Sequence, residues 1–351
     1  MSDWSHLNKP ALRLEKNPLA GRDLLRLSDL LPEELHLLLS TAFAQKQAAT
    51  PQPAAPQTAV SQPAASQAAT PQPAAFQKPA PYLGKAVAII LEKPSLRTRV
   101  SFELAATRLG AQPIVLSGPD SAFSRGESVQ DTTLVLERFV SALVLRTFAQ
   151  TKLEEVAAWA SVPVINALSD DFHPCQLLAD LLTIYEHKGR LCNLKLAYVG
   201  DGNNMANSYL EAAALTGLTL AIATPKGYEP NEGVVRKARQ MAAATGANLS
   251  LGTEMAPALA AADVVITDTW ASMGSEDSRA RRLGDFAGYT IDAAAMQYAA
   301  ADALFLHCLP AHRGEEVTDE VMDASYSAIY DEAENRLHVQ QALLSLLLAD
   351  G

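Results

Sequence analysis

Short apolar, β-branched runs alternating with helical stripes leave this chain few folds to choose from. Runs at Ala86–Leu91, Ile114–Leu116, Ala142–Leu145 and Val162–Ile165 have the length and composition of buried strands. Between them, Phe102, Ala105, Ala106 and Leu109 recur at helical spacing and stop at Gly110. Val129, Thr133, Leu136 and Val140 mark a second stripe, and Leu153, Val156, Ala157 and Ala160 a third. Such alternation predicts a parallel sheet covered on both faces. A long helix over Pro174–Lys188 follows, opened by a proline at its first position. The alternation then restarts with Lys195–Val199, Thr219–Ala223, Asp263–Thr267 and Leu304–Leu306, and a helix over Glu334–Leu348 closes the chain. The expected fold class is α/β: two doubly wound parallel-sheet domains joined by a helix.

One stretch breaks the pattern. A first helix is expected over Asp29–Phe43, capped by Ser28 or Asp29 and with Leu35, Leu38 and Leu39 on one face. From Gln47 to Pro81 the chain is then almost wholly Ala, Pro, Gln, Thr and Ser, with AATPQPAA occurring twice. Too few large apolar groups are present there to offset the entropy of ordering, so a disordered surface insertion is expected. A docking segment for a proline-recognition partner is the alternative, but it lacks basic flanks.

The whole chain, 351 residues at 48% hydrophobic content, suffices for two buried cores. A net charge of −11 argues against a nucleic-acid or anionic-membrane surface, so any anionic substrate must meet locally concentrated charge. Three cysteines, Cys175, Cys192 and Cys308, build no disulfide framework and favour a reducing cytoplasm. The polar N-terminus lacks a signal pattern, and no apolar run approaches the roughly 20 residues of a membrane span.

Ligands in such folds lie at the carboxyl ends of strands, and three segments there invite an anion. The first strand runs into Glu92-Lys93-Pro94-Ser95-Leu96-Arg97-Thr98-Arg99 and directly into a helix. Unpaired N–H groups, hydroxyls and Arg97 would suit a phosphate, although Ser95 could simply cap the helix beside surface arginines. Arg146 ends the apolar strand Ala142–Leu145, facing either a ligand or an internal acid. His173-Pro174-Cys175-Gln176 opens the joining helix and would aim His173 and Gln176 out of its N-terminus, unless His173 is a capping or core residue.

The second half offers a different chemistry. Gly200-Asp201-Gly202-Asn203-Asn204 follows a strand, but Met205 replaces the third glycine of a dinucleotide turn, and the next strand ends at Thr224 without an acidic ribose ligand. NAD is therefore not expected. Asp268, in Thr267-Asp268-Thr269-Trp270-Ala271-Ser272-Met273-Gly274, is placed for a cationic ligand or for an ordinary turn. His307-Cys308-Leu309-Pro310 follows the last strand; no zinc-type spacing accompanies it, so no metal is expected and Cys308 could be only a small hydrophobe.

Ser-x-Arg-Thr-Arg after a strand, Arg at a strand end and His-Pro-x-Gln, in this order, resemble the aspartate/ornithine carbamoyltransferase family. The resemblance spans nearly the whole chain outside 47–81. It implies that Ser95, Leu96, Arg97, Thr98 and Arg146 hold the phosphate of carbamoyl phosphate, while His173 and Gln176 orient its carbamoyl group. It implies Asn204, Asp268, Ser272 and Met273 as ornithine ligands, since Asp-x-x-x-Ser-Met-Gly marks the ornithine branch. Cys308 would sit beside the acceptor amine, the Leu309 carbonyl against the carbamoyl NH2, and Arg336 would be a further carbamoyl phosphate contact rather than a helix-surface ion pair.

The implied reaction is direct transfer to the side-chain amine of L-ornithine, with no cofactor, in arginine metabolism; putrescine, acetylornithine or another amine is the alternative acceptor. By this resemblance, 1–173 form the carbamoyl phosphate-binding domain, 174–188 the joining helix, 189–333 the ornithine-binding domain and 334–351 a C-terminal helix returning to the first domain. A homotrimer, or a multiple of it, is implied. Many members carry a glutamine reaching a neighbouring subunit's ligand, which Ala122 in Ser121–Arg125 cannot imitate.

Overall fold

The computed structural model describes residues 4–7, 17–49, 81–118, 123, 126–270 and 279–349. Strands β1 (Ala86–Leu91), β2 (Gln112–Ser117), β3 (Ala142–Arg146) and β4 (Val164–Leu168) form one sheet in the order β2-β1-β3-β4. Strands β5 (Lys195–Val199), β6 (Thr219–Ala223), β7 (Asn248–Gly252), β8 (Val264–Thr267) and β9 (Leu304–His307) form a second, β7-β6-β5-β8-β9. Every pairing is parallel. The expected fold class is therefore present: two parallel-sheet α/β domains.

Helices fill the crossovers. In the first half these are α1 (Pro32–Ala49), α2 (Leu96–Leu109), α3 (Val129–Leu136), α4 (Gln150–Trp159) and the joining α5 (Pro174–Lys188). In the second they are α6 (Asn204–Thr216), α7 (Glu232–Thr245), α8 (Met255–Leu259), α9 (Arg279–Asp285), α10 (Ala293–Met296), α11 (Asp319–Met322) and α12 (Ile329–Leu347). Phe102, Ala105, Ala106 and Leu109 are all buried, and Gly110 adopts φ 82°, the left-handed stop that the stripe predicts. α12 returns to pack on α1, α2 and α5 of the first half. No helix among the described residues is long and apolar enough to cross a membrane.

Two helices depart from their expected bounds. α1 starts at Pro32, because Asp29 spends its carboxylate on the preceding turn, accepting from the Leu25 and Arg26 N–H groups at 2.9 Å. α1 also runs on to Ala49, so Gln47 is helical and does not begin the insertion. The intervening residues are good helix formers, and Lys46 Nζ donates to Glu186 and Asn335 at 2.9 and 2.8 Å. Residues 50–80 lie outside the described residues, and Pro81 stands in a turn. α12 begins at Ile329, five residues before Glu334, with Asp331 and Glu332 in its first turn where the helix dipole favours acids.

Each sheet reverses its winding direction once, between β1 and β3 in the first and between β5 and β8 in the second. Leu91 pairs with Arg146 and Thr267 with His307, which brings the loops after these strands to one level. The crevices at these reversals are where parallel sheets bind ligands.

Candidate active site

Chain segments from both sheets line a cavity of about 230 Å³, whose wall includes Arg146, His173, Asn204, Asp268, Cys308 and Leu309. Lys93, Asp170, Asn203, Thr269, Arg279 and His312 also line it, none of them a residue that the resemblance implies for the site.

On the first-sheet side, Ser95 caps α2: its Oγ accepts from the Thr98 N–H at 3.2 Å. The cap therefore exists, but the neighbouring arginines are not both surface groups. Arg99 pairs along the helix with Glu103, while Arg97 Nη2 reaches across the cleft to the Leu309 carbonyl at 2.6 Å. The Leu96 side chain is exposed.

The Arg146 side chain forms no hydrogen bond or ion pair among the described residues, and its Nε is buried without a partner. Desolvation and the cations of Arg336 and Arg97 pull its pKa down to about 10, still far above neutral pH. A guanidinium held in this way lacks an internal anion and is open to an external one.

His173 precedes Pro174 at the start of α5, fixed by its own N–H donating to Ser208 Oγ at 2.8 Å. Burial, then Arg336, Arg146 and Arg97, push its pKa well below the ordinary value, so the ring is neutral. Arginine has no acceptor, so the 3.4 Å contact between Arg336 Nη1 and His173 Nε2 makes Nε2 the acceptor. Nδ1 then carries the proton and is buried without a partner.

Gln176 does not point out of the helix. One turn before Asp180, it donates from Nε2 to Asp180 Oδ1 at 2.8 Å and to Glu332 Oε1 at 2.6 Å, and its Oε1 accepts from Arg336 Nη1 at 2.6 Å. Arg336 is buried rather than on a helix surface, and its Nη2 also reaches Thr98 Oγ1 at 3.3 Å.

The second-sheet side is acidic and self-satisfied. Asp268 accepts from Asn203 Nδ2 at 2.8 Å, from the Thr269 N–H at 2.8 Å and from Cys308 Sγ at 3.1 Å. The turn contact is thus only one of its three bonds among the described residues. Desolvation and the Asp268 and Glu332 carboxylates push the Cys308 thiol far up, so it remains protonated and donates to Asp268. Leu309 adopts φ 57°, a strained value for leucine, in a cis peptide with Pro310. Asn204 Nδ2 donates to the Ser169 carbonyl at 2.8 Å, tying the α6 N-terminus to the first domain. Ser272 and Met273, like Ser121, Ala122, Ser124 and Arg125, lie outside the described residues.

Gly202 has a packing reason unrelated to dinucleotides. A Cβ there would lie 2.3 Å from both Pro230 N and the Tyr228 carbonyl, to which Gly202 N–H donates at 2.8 Å. Among the described residues, two clusters hold metal-ligand atoms within 4.8 Å: Asp268, His307 and Cys308, and His312, Glu315 and Glu316. Their groups are engaged with one another or with neighbours: His307 Nδ1 accepts from the Leu309 N–H at 2.9 Å, and Glu315 pairs with Arg279.

Fold and cavity define a two-domain α/β protein with arginine and histidine side chains on the first-sheet wall of one cavity and a carboxylate on the second-sheet wall. Residues 22–186 match the carbamoyl-P binding domain, and 192–347 the Asp/Orn binding domain, of the aspartate/ornithine carbamoyltransferases. The chain belongs to that family. It is 47% identical over 330 residues to the ornithine carbamoyltransferase of Anoxybacillus flavithermus, covering 94% of this chain and 98% of the relative. With the Halalkalibacterium halodurans enzyme of that name it shares 45% over 345 residues, covering 98% and 99%. The ornithine carbamoyltransferase structure from Pyrococcus furiosus superposes with a TM-score of 0.83 at 42% identity, covering 94% of this chain and 98% of that one.

Proposed function

We propose that the chain transfers the carbamoyl group of carbamoyl phosphate to the side-chain amine of L-ornithine, giving L-citrulline and phosphate. The observation that carries this reading is the pairing of opposites across one cavity: an arginine without a counter-ion at the end of β3, and a hydrogen-bonded carboxylate at the end of β8. The dianionic phosphate binds Arg146, Arg97, the Ser95 and Thr98 hydroxyls and the N–H groups at the start of α2, including that of Leu96. Arg336 supports this set through Thr98.

The carbamoyl carbonyl accepts from His173 Nδ1–H, whose proton lacks another partner, and the Leu309 carbonyl accepts from the carbamoyl NH2. Gln176 acts on the carbamoyl group through Arg336, to which it is bonded. Asp268 and Asn204 hold the amino-acid end of ornithine, with Ser272 and Met273 completing that subsite. Cys308 stands beside the attacking amine.

The uncharged side-chain amine attacks the carbamoyl carbon. A C–N bond forms, the C–O bond to phosphate breaks, and the amine proton leaves with the phosphate. Holding both reactants in one cavity supplies orientation worth about 7–11 kcal/mol. Donors aimed at the developing oxyanion, His173 and Arg146, add electrostatic stabilisation.

Residues 1–173 and 189–333 serve as the donor and acceptor domains, 174–188 joins them, and 334–351 pack back on the first. The enzyme works as a homotrimer, or a multiple of it, in the cytoplasm and in arginine biosynthesis. The exposed stripe Leu96, Val100 and Leu104 on α2, with Ile114 on the edge strand β2, is the apolar face that supports subunit contact. Citrulline formation assayed with ornithine, putrescine and acetylornithine tests the reading. Ornithine should be preferred by at least about a hundredfold in kcat/KM, because a polar site rejects acceptors that leave its buried groups unpaired. Equal turnover of putrescine would overturn it.

A further inference from the structure

Behind the cavity wall, Glu332 at the start of α12 touches both halves of the site with different oxygens. Oε1 accepts from Gln176 Nε2 at 2.6 Å, on the joining helix. Oε2 accepts from the His307 N–H at 2.9 Å, on the last strand of the second sheet. Glu332 is only 1% exposed.

Each contact continues to reacting groups. Gln176 Oε1 holds Arg336, which reaches Thr98 and His173 in the donor subsite. His307 immediately precedes Cys308, whose thiol donates to Asp268, and Leu309, whose carbonyl receives Arg97. A shift of Arg336 toward bound phosphate therefore pulls on Gln176, on Glu332 and on the backbone that sets the acceptor subsite. Asp180 completes the arrangement: its carboxylate accepts from Gln176 Nε2 at 2.8 Å and from Tyr209 Oη at 2.6 Å. Burial and the facing Asp180 carboxylate push Glu332 well above the usual carboxylate range, while Asp180 rises to about 6, so the two hold a proton between them.

We infer that Glu332 is a positioning residue that couples the two subsites, so that carbamoyl phosphate tightens binding of the amino acid and the reverse. The inference rests on the donor and acceptor assignments above. A glutamic acid side chain suits this post because each of its two oxygens keeps a lone pair for one of the two N–H donors, whichever member of the pair holds the proton. A glutamine of equal size offers one acceptor and sets its NH2 against an N–H donor on the other side.

The test uses L-norvaline, which is ornithine without its terminal amine, so the ternary complex with carbamoyl phosphate cannot react. Norvaline affinity is measured with and without saturating carbamoyl phosphate in the wild type and in Glu332→Gln. Wild-type coupling is expected at about fivefold or more, the lower end of ordinary coupling between sites. In Glu332→Gln it should fall to within about twofold of unity, with each ligand's own affinity changed by less than about threefold. A folded variant that keeps the wild-type factor overturns the inference, and so does a wild type without coupling. Failure of either ligand to bind the wild type would instead overturn the subsite assignments. Should Glu332→Gln fail to fold, Glu332→Asp, which is too short to reach both partners, decides by the same factor. Hydrogen exchange needs no variant: carbamoyl phosphate should slow exchange in the wild-type peptide spanning 304–310, and an unchanged rate overturns the inference.

Discussion

The two walls of the cavity are built on opposite principles. On the first-sheet wall Arg97, Arg146 and Arg336 crowd together with no ion pair among the described residues, and burial and their mutual repulsion lower the pKa of Arg146 and keep His173 neutral. On the second-sheet wall Asp268 already holds three hydrogen bonds and Cys308 remains a thiol. On the proposed assignment the donor wall carries an excess of positive charge for phosphate to offset, while the acceptor wall offers shape and one negative charge. Affinity for the donor should therefore be dominated by electrostatics, and discrimination among acceptors by geometry.

Breaking the donor wall should cost most. Arg97→Ala is expected to lower kcat/KM for carbamoyl phosphate by about a thousandfold, in the range seen when a transition-state donor is lost. Arg97 is only half-buried, so a thermal melt should show the fold intact. Full turnover in this variant would remove Arg97 from the phosphate site. Breaking the acceptor wall should cost less: Asp268→Asn should reduce kcat/KM for ornithine by roughly a hundredfold while leaving the carbamoyl phosphate KM within about threefold. Steady-state kinetics with each substrate varied in turn separates the two walls, and equal losses for both would erase the contrast.

A smaller effect follows from His173. Its folded pKa lies below that of the unfolded chain, about 6.5, so the unfolded state binds more protons between the two values. Stability is then retained above pH 6.5 and lost as pH falls toward the folded value, by at most about 1.4 kcal/mol per pH unit. Asp180 and Asp201, both raised to about 6, act in the opposite sense, so the wild-type curve alone is ambiguous. The difference between wild type and His173→Gln in urea midpoints from pH 7 to 5 isolates the histidine, and parallel curves would show that it is not held neutral. The smallest effect belongs to residues 50–80. Replacing them with a short Gly/Ser linker should change either KM by less than about twofold, since the segment is almost wholly Ala, Pro, Gln, Thr and Ser and carries a single charge, Lys78. A large rise in KM would place that segment at the cavity.

Much of the donor wall was legible in the sequence because its parts are contiguous. Ser95, Arg97 and Thr98 share one strand-to-helix turn, and Pro174 fixed the start of α5 to the residue. Arg146 could be read from position alone, a cation after four buried apolar residues. What escaped was made by distant pairs: Asn203 on Asp268, Arg97 on the Leu309 carbonyl, and Glu332 on both Gln176 and His307. Asn203 reads as an ordinary helix cap and Glu332 as a first-turn acid, and both descriptions are locally true. Nothing in the adjacent residues discloses the second partner.

The sequence by itself determined the class of fold and the chemical character of each wall. Strand and helix periods are local properties, and the strand ends that the topology brings together already carry arginines in one half and an acid in the other. Only the tertiary structure decided which polar groups are free and which are consumed. Gln176 and Arg146 look equally available along the chain, yet burial in a crowded network commits the first to Asp180, Glu332 and Arg336 and leaves the second without a partner. The reason is that hydrogen bonding saturates. Each donor and acceptor serves few partners, and which ones reach it first depends on the packing of α5, α12 and β9, segments far apart in the chain.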